Sequence, residues 1–243
     1  YKVIASSEDA NFAYIPKSFD LDSNASYVHI TSNNTIFGTQ WAQYPKTGDI
    51  PLIADMSSDL YCRRFDPNLF GLIYAGAQKN AGPAGVTIVI IRNDLIERSP
   101  DNIPTILNYK IFTEQNSLYN TPNCFGIYIV GLVMQWILDQ GGIDKVEANN
   151  KKKASLIYNT ADGTDFYRPT AQEDSRSIMN ITFRLPSEDL EKKFISEATA
   201  AGLVGLKGHR SVGGIRASIY NAMPLKGAEA LVDFMKTFEK NNG

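Results

Sequence analysis

Cysteine and histidine are almost missing from this chain, with two of each among 243 residues. Cys62 and Cys124 lack CxxC spacing, and His29 and His209 form no HxxxH or HExxH pattern, so no structural zinc site is expected. Two thiols make no disulfide framework, which sets a reducing cytoplasm as the default location. An excess of one charge is lacking too. With 26 acidic against 24 basic residues, no broad field draws nucleic acid or an anionic membrane. The longest basic run, Lys151-Lys152-Lys153, reads as the solvated face of a helix that opens there. Long apolar runs are also absent: residues 125–138 span 14 positions, short of the ~20 a bilayer needs. Residues 1–8 show no secretory signal pattern.

What is present is a chain 43% hydrophobic and 21% charged, enough for one large domain or two smaller ones. Residues 2–6, 27–31, 52–54, 72–75 and 86–92 read as short strands rich in Val, Ile and Tyr. Residues 94–98 read as a brief helix ending near Ser99-Pro100, and residues 102–121 as polar turns. Residues 125–138 have helical length without alternation, stopped by Gly141-Gly142, and a largely buried helix is expected. A second helix runs from 143 or 144 to about 159, and a strand over 178–185 sets Asn180, Thr182 and Arg184 against Met179, Ile181 and Phe183. Ser187 caps a helix closed by Gly202, and residues 214–220 read as a strand. Pro224 opens a last helix on which Leu225, Ala228, Leu231, Met235 and Phe238 recur. The reading is an α/β layer unit over residues 1–140, ending in a long connecting helix, then a small α+β unit over 141–243.

Two apolar segments each deliver a polar residue at the carboxyl end, where open α/β sheets gather ligands. Leu52-Ile53-Ala54 ends on Asp55, and Lys79 follows Ala75-Gly76-Ala77-Gln78, 24 residues after that aspartate. A lysine partly desolvated among small residues is a nucleophile toward an aldehyde. An acid on the neighbouring strand suits the ring nitrogen of pyridoxal phosphate. The same residues also fit a solvated turn lysine and a helix-capping aspartate. Lys207, His209, Arg210 and Arg216 bring four cationic or titratable side chains into one Gly-rich stretch, readable as an anion site or as an exposed basic hairpin. Asn120-Thr121-Pro122 and Thr35 carry no weight alone.

Together these segments resemble the phosphoserine aminotransferase family of fold-type I, pyridoxal-phosphate-dependent enzymes. The carrying blocks are Asp9-Ala10-Asn11-Phe12-Ala13-Tyr14-Ile15-Pro16-Lys17, Tyr27-Val28-His29, Tyr74-Ala75-Gly76-Ala77-Gln78-Lys79-Asn80, Gly82-Pro83-Ala84-Gly85, Tyr119-Asn120-Thr121-Pro122, Lys207-Gly208-His209-Arg210 and residues 213–222. The resemblance implies a partial fold-type I large domain followed by the small C-terminal domain. It implies that Lys79 holds the cofactor and shuttles a proton between substrate Cα and cofactor C4′, and that Asp55 keeps the ring nitrogen protonated. Thr35 would bond the ring hydroxyl and Gln78 the cofactor phosphate, while Asn120 and Thr121 would reach the phosphate in a neighbouring subunit, making a homodimer with shared sites. Arg216 would take the substrate α-carboxylate. His209 and Arg210 would take the phosphate of phosphoserine or the side-chain carboxylate of glutamate. The implied reaction joins glutamate and 3-phosphohydroxypyruvate in serine biosynthesis, and the family also acts in pyridoxine synthesis in some bacteria.

By this resemblance the chain starts where the family's first third has ended, after an N-terminal arm, a substrate-binding arginine, the glycine-rich phosphate turn and a ring-stacking aromatic. Without them, cofactor binding is expected to weaken by several kcal/mol. A cleavage product, an incomplete version of a longer chain, and one piece of a complex with the missing segment all stay open. So do two functional alternatives: an inert or complementation-dependent fragment, and another fold-type I reaction.

Overall fold

The computed structural model describes residues 1–100 and 102–243. In chain order the first half contributes β1 (Val28–Thr31), β2 (Asn33–Asn34), β3 (Thr39–Gln40), β4 (Leu52–Asp55), β5 (Leu72–Gly76) and β6 (Thr87–Ile91), then α1 (Asn93–Glu97) and α2 (Tyr109–Glu114). There follow α3 (Cys124–Asp139), α4 (Ile143–Asp162), β7 (Arg168–Pro169), β8 (Asn180–Arg184), α5 (Glu188–Ala200), β9 (Ile215–Ser218) and α6 (Leu225–Asn242). The main sheet has the order β1-β4-β5-β6, parallel except for β6. An antiparallel sheet β7-β8-β9 and the hairpin β2-β3 complete the ladders.

Side chains alternate across a strand, so β1, β4 and β5 each commit one face to the interior, whereas edge strand β6 buries no residue fully. Val28, Ile30, Leu52, Ala54, Ile73 and Ala75 share the buried face and join Met56, Leu60 and Phe70 in one apolar cluster. Thr31, Asp55 and Tyr74 stand in register and therefore share the opposite face. A second cluster, drawn from residues 154–238, packs α4, α5 and α6 on β8 and β9. Within it Phe194 meets Tyr167, Phe183 and Phe238 edge to face, an arrangement favoured by the ring quadrupoles.

Between the two clusters runs a buried polar seam. Asn33 Nδ2 donates to Ser58 Oγ and to Asn180 Oδ1, both at 2.8 Å, and Asn33 Oδ1 accepts from Ser177 Oγ. Asn180 Nδ2 goes on to Ser218 Oγ and the Tyr220 hydroxyl, each at 3.0 Å. Gln40 makes a second crossing, donating to Asp59 Oδ2 at 3.0 Å and accepting from Ile178 N at 3.1 Å.

Five expectations need correction. The stretch read as turns contains α2, Tyr109–Glu114, capped by Asn108 Oδ1 accepting from Lys110 N at 3.0 Å. Residues 2–6 form no strand; they join no ladder. Residues 125–138 are helical, within α3, but only Gly126 and Ile137 of that helix are buried, while Phe125 is 72% and Tyr128 63% exposed. On β8 the polar face is as buried as the apolar one, because the β2-β3 turn lies on it and Thr182 Oγ1 donates to Phe37 O at 2.9 Å. Lys153 lies within α4 rather than at its start, and is 2% exposed. Its ammonium donates to the carbonyls of Ile219, Tyr220 and Met223 at 3.0, 2.9 and 3.0 Å.

Candidate active site

Parallel neighbours end on the same sheet edge, so β1, β4 and β5 release their chains side by side. Asp55 is the last residue of β4, and Lys79 lies in the turn after β5. That turn is closed by Ala81 N and Gly82 N donating to Ala77 O at 3.1 and 2.8 Å. Asp55 and Lys79 border one cavity of about 310 Å³, together with Thr31, Thr35 and Ser57. They are therefore on the same side of the sheet. Lys79 Nζ donates to Thr35 Oγ1 at 2.8 Å, which joins the β2-β3 turn to the β5 turn.

Burial pulls the Lys79 amine below the ordinary lysine range; Asp55 opposes this, Arg216 adds to it and Asp59 opposes it. Ser57 N fixes the Asp55 carboxylate by donating to Oδ1 at 2.8 Å, and Ser57 Oγ accepts from Gly76 N at 3.1 Å. Asp59 lies four residues beyond Asp55, in the turn that follows β4, and is buried, bonded to Ser32 Oγ and Gln40. Burial pushes its carboxyl up, while those two hydrogen bonds hold it down. Sequence reasoning missed Ser57, Ser58 and Asp59. Their one signal was the polar run that directly follows the strand ending on Asp55.

Arg216 stands on β9 opposite Thr182, on the face that receives the β2-β3 turn. Among the described residues its Nε is one of three buried side-chain polar atoms without a hydrogen-bond partner, which leaves donor capacity for an anion. Gln78 is exposed, with its amide folded over Gly76 so closely that a Cβ there would come 2.5 Å from Gln78 Oε1. His209 and Arg210 sit in the loop before β9 and do not border the Lys79 cavity. Asn120 and Thr121 are exposed just before α3, also outside it. Among the described residues no cluster of three His, Cys, Asp or Glu could hold a metal ion, and no single helix is long and apolar enough to cross a membrane.

A family model described as aminotransferase class-V matches residues 3–231. The chain belongs to the class-V aminotransferase family. It is 61% identical to a phosphoserine aminotransferase of Desulfosudis oleivorans, over 99% of this chain and 67% of that protein. Phosphoserine aminotransferase from Bacillus circulans subsp. alkalophilus superimposes with a TM-score of 0.98 at 56% identity, covering 100% of this chain and 68% of that one. A PLP-bound phosphoserine aminotransferase from Trichomonas vaginalis gives a TM-score of 0.88 at 38% identity, over 93% and 65% of the two chains. The main sheet and its helices are thus a fold-type I aminotransferase architecture, and pyridoxal phosphate is the cofactor of this family. The cavity fits that group in kind: it offers a partly desolvated amine for an aldehyde and, on the same side, a carboxylate for a ring nitrogen.

Proposed function

We propose that this chain exchanges an amino group between glutamate and 3-phosphohydroxypyruvate, giving 2-oxoglutarate and O-phosphoserine, a step of serine biosynthesis. The observation that carries this reading is the single cavity bordered by both Lys79 and Asp55. Bound there, pyridoxal phosphate supplies an aldehyde that captures amines and a ring that accepts the electron pair left on Cα. Asp55, held by Ser57 N, would keep a proton on the ring nitrogen by its charge. Lys79 would hold the cofactor aldehyde through its amine and, once freed by substrate, would serve as the base that moves the substrate Cα proton. Its lowered pKa leaves more of the amine ready to accept that proton near neutrality. Thr35 would hydrogen-bond the ring hydroxyl and Gln78 the cofactor phosphate. Arg216 pairs its fork with the α-carboxylate, for which its unpartnered Nε is available. His209 and Arg210 take the substrate phosphate, or the distal carboxylate of glutamate.

The working form in this reading is a homodimer, with Asn120 and Thr121 reaching the cofactor phosphate of the other copy. Support comes from α3, where Phe125, Tyr128 and Leu132 repeat on one side and are 72%, 63% and 48% exposed. Sedimentation should give a dimer, and Tyr128→Asp should shift it to monomer; a wild-type monomer at micromolar concentration would sink this part. The separate apolar clusters support a large unit over residues 1–140 and a small one over 141–243. Two free cysteines, Cys62 buried and Cys124 exposed, suit a cytoplasmic setting.

The test is turnover with 2-oxoglutarate and either O-phosphoserine or L-serine. Phosphoserine should be preferred by about 10-fold or more, because serine offers His209 and Arg210 no anion to pair with. Lys79→Ala should lose about 10³-fold or more in rate and no longer retain cofactor covalently after borohydride reduction. Equal turnover of the two amino acids removes the substrate assignment; covalent retention in Lys79→Ala removes the lysine assignment.

A further inference from the structure

We propose that Arg184 and Glu191 are positioning residues that hold the loop of residues 207–214 so that His209 and Arg210 can receive the substrate phosphate. The inference rests on the reading of those two side chains as phosphate receivers, and adds what sets their geometry. The loop is closed mostly on itself. Gly208 N donates to Gly214 O at 2.9 Å, and Val212 N and Gly213 N donate to His209 O at 2.9 and 2.8 Å. His209 Nδ1 meets Ser211 Oγ at 2.7 Å. Among the described residues, the one hydrogen bond reaching residues 208–214 from elsewhere is Arg184 Nη1 to Val212 O, at 3.3 Å.

Packing places the same side chain under the loop's base. Phe183 pairs with Ile215, so Arg184 ends β8 beside Gly214. Gly214 has φ +69°, and a Cβ there would come 2.7 Å from Arg184 Cδ. The loop therefore rests on the arginine stem while the guanidinium holds its tip. Arg184 is itself anchored by Nε donating to Glu191 Oε1 at 2.5 Å. Glu191 is 6% exposed, and the same oxygen accepts from Leu185 N at 3.4 Å. α5, which carries Glu191, is fixed at its start by Ser187 Oγ accepting from Leu190 N at 3.2 Å. A buried carboxylate costs desolvation that these two partners only partly offset, so its worth lies in fixing where the guanidinium points. The line of support runs from α5 through Glu191 and Arg184 to Val212, and so to His209 and Arg210 in the same loop.

The experiment compares wild type, Arg184→Lys, Arg184→Met and Glu191→Gln in the full chain loaded with cofactor. KM for O-phosphoserine should rise about tenfold in Arg184→Met, and about threefold in Arg184→Lys and Glu191→Gln, with kcat held within about twofold, as for the loss of one charge-assisted contact. The kcat/KM for L-serine, which has no phosphate to place, should stay within about twofold. Hydrogen exchange of the peptide spanning residues 207–214 should accelerate in Arg184→Met without substrate present. Equal losses for serine and phosphoserine, or an unchanged exchange rate, overturn the proposal. A wild type that treats the two amino acids alike instead removes the phosphate role of His209 and Arg210, and the exchange readout still decides whether Arg184 holds the loop.

Discussion

Lys153 is an ammonium with three carbonyl partners and almost no water, and burial pulls its pKa down to about 8. The carbonyls belong to the turn that leaves β9, so this one side chain shapes the exit of the strand carrying Arg216. In the unfolded chain the amine keeps its proton up to the ordinary lysine value of 10.5, whereas the folded one releases it near 8. Between those values the unfolded state binds more protons, so the lysine's contribution to stability grows as pH rises, and it shrinks as pH falls through 8. Lys153→Met strands the carbonyls and should cost about 2–4 kcal/mol at pH 7. Denaturant melts of both proteins at pH 7.5 and 9.5 should show the gap widening with pH; a narrowing gap would contradict the linkage.

The β2-β3 hairpin shows how a short element can matter more than its length suggests. Gly38 ends its turn with φ +73°, and a Cβ there would come 2.3 Å from Thr182 Oγ1 and 2.9 Å from Asn180 O. Gly38→Ala should therefore cost about 2–4 kcal/mol and weaken cofactor affinity, because Thr35 belongs to the same turn. Gly48→Ala, at φ +60° with nothing within 4 Å, should cost only about 1 kcal/mol, and the paired urea melts separate crowding from backbone strain. This hairpin was not legible in the sequence, since two-residue ladders leave no periodicity to read. By contrast β4, β5, the Ser187 cap and α6 were legible, because buried parallel strands, capping residues and three-to-four spacing are local signals. The placement of Asp55 and Lys79 at neighbouring strand ends was legible for the same reason. The exposure of α3 was not, since apolar composition says how much a helix can bury and nothing about what lies beside it. The buried polar face of β8 was hidden as well: the partners of Asn180 and Thr182 are 147 and 145 residues away.

At the scale of the whole molecule, two apolar clusters meet across hydrogen bonds instead of a shared hydrophobic interior. Asn33 is central to that seam, serving Ser58, Ser177 and Asn180 at once. Asn33→Leu leaves those groups without partners and should cost about 3–5 kcal/mol, at roughly 1–3 kcal/mol for each buried polar group left unpaired. It should also split a single calorimetric transition into two, as the halves lose their coupling. One sharp transition in that variant would show that the clusters are joined by something else. Such an arrangement has a consequence for heredity. Each member satisfies another, so no member can drift alone, and lineages should keep the set or replace it as a block. Damaging lesions can then arise at Ser177 or Asn180, neither of which borders the Lys79 cavity, and a survey confined to reactive groups would overlook them.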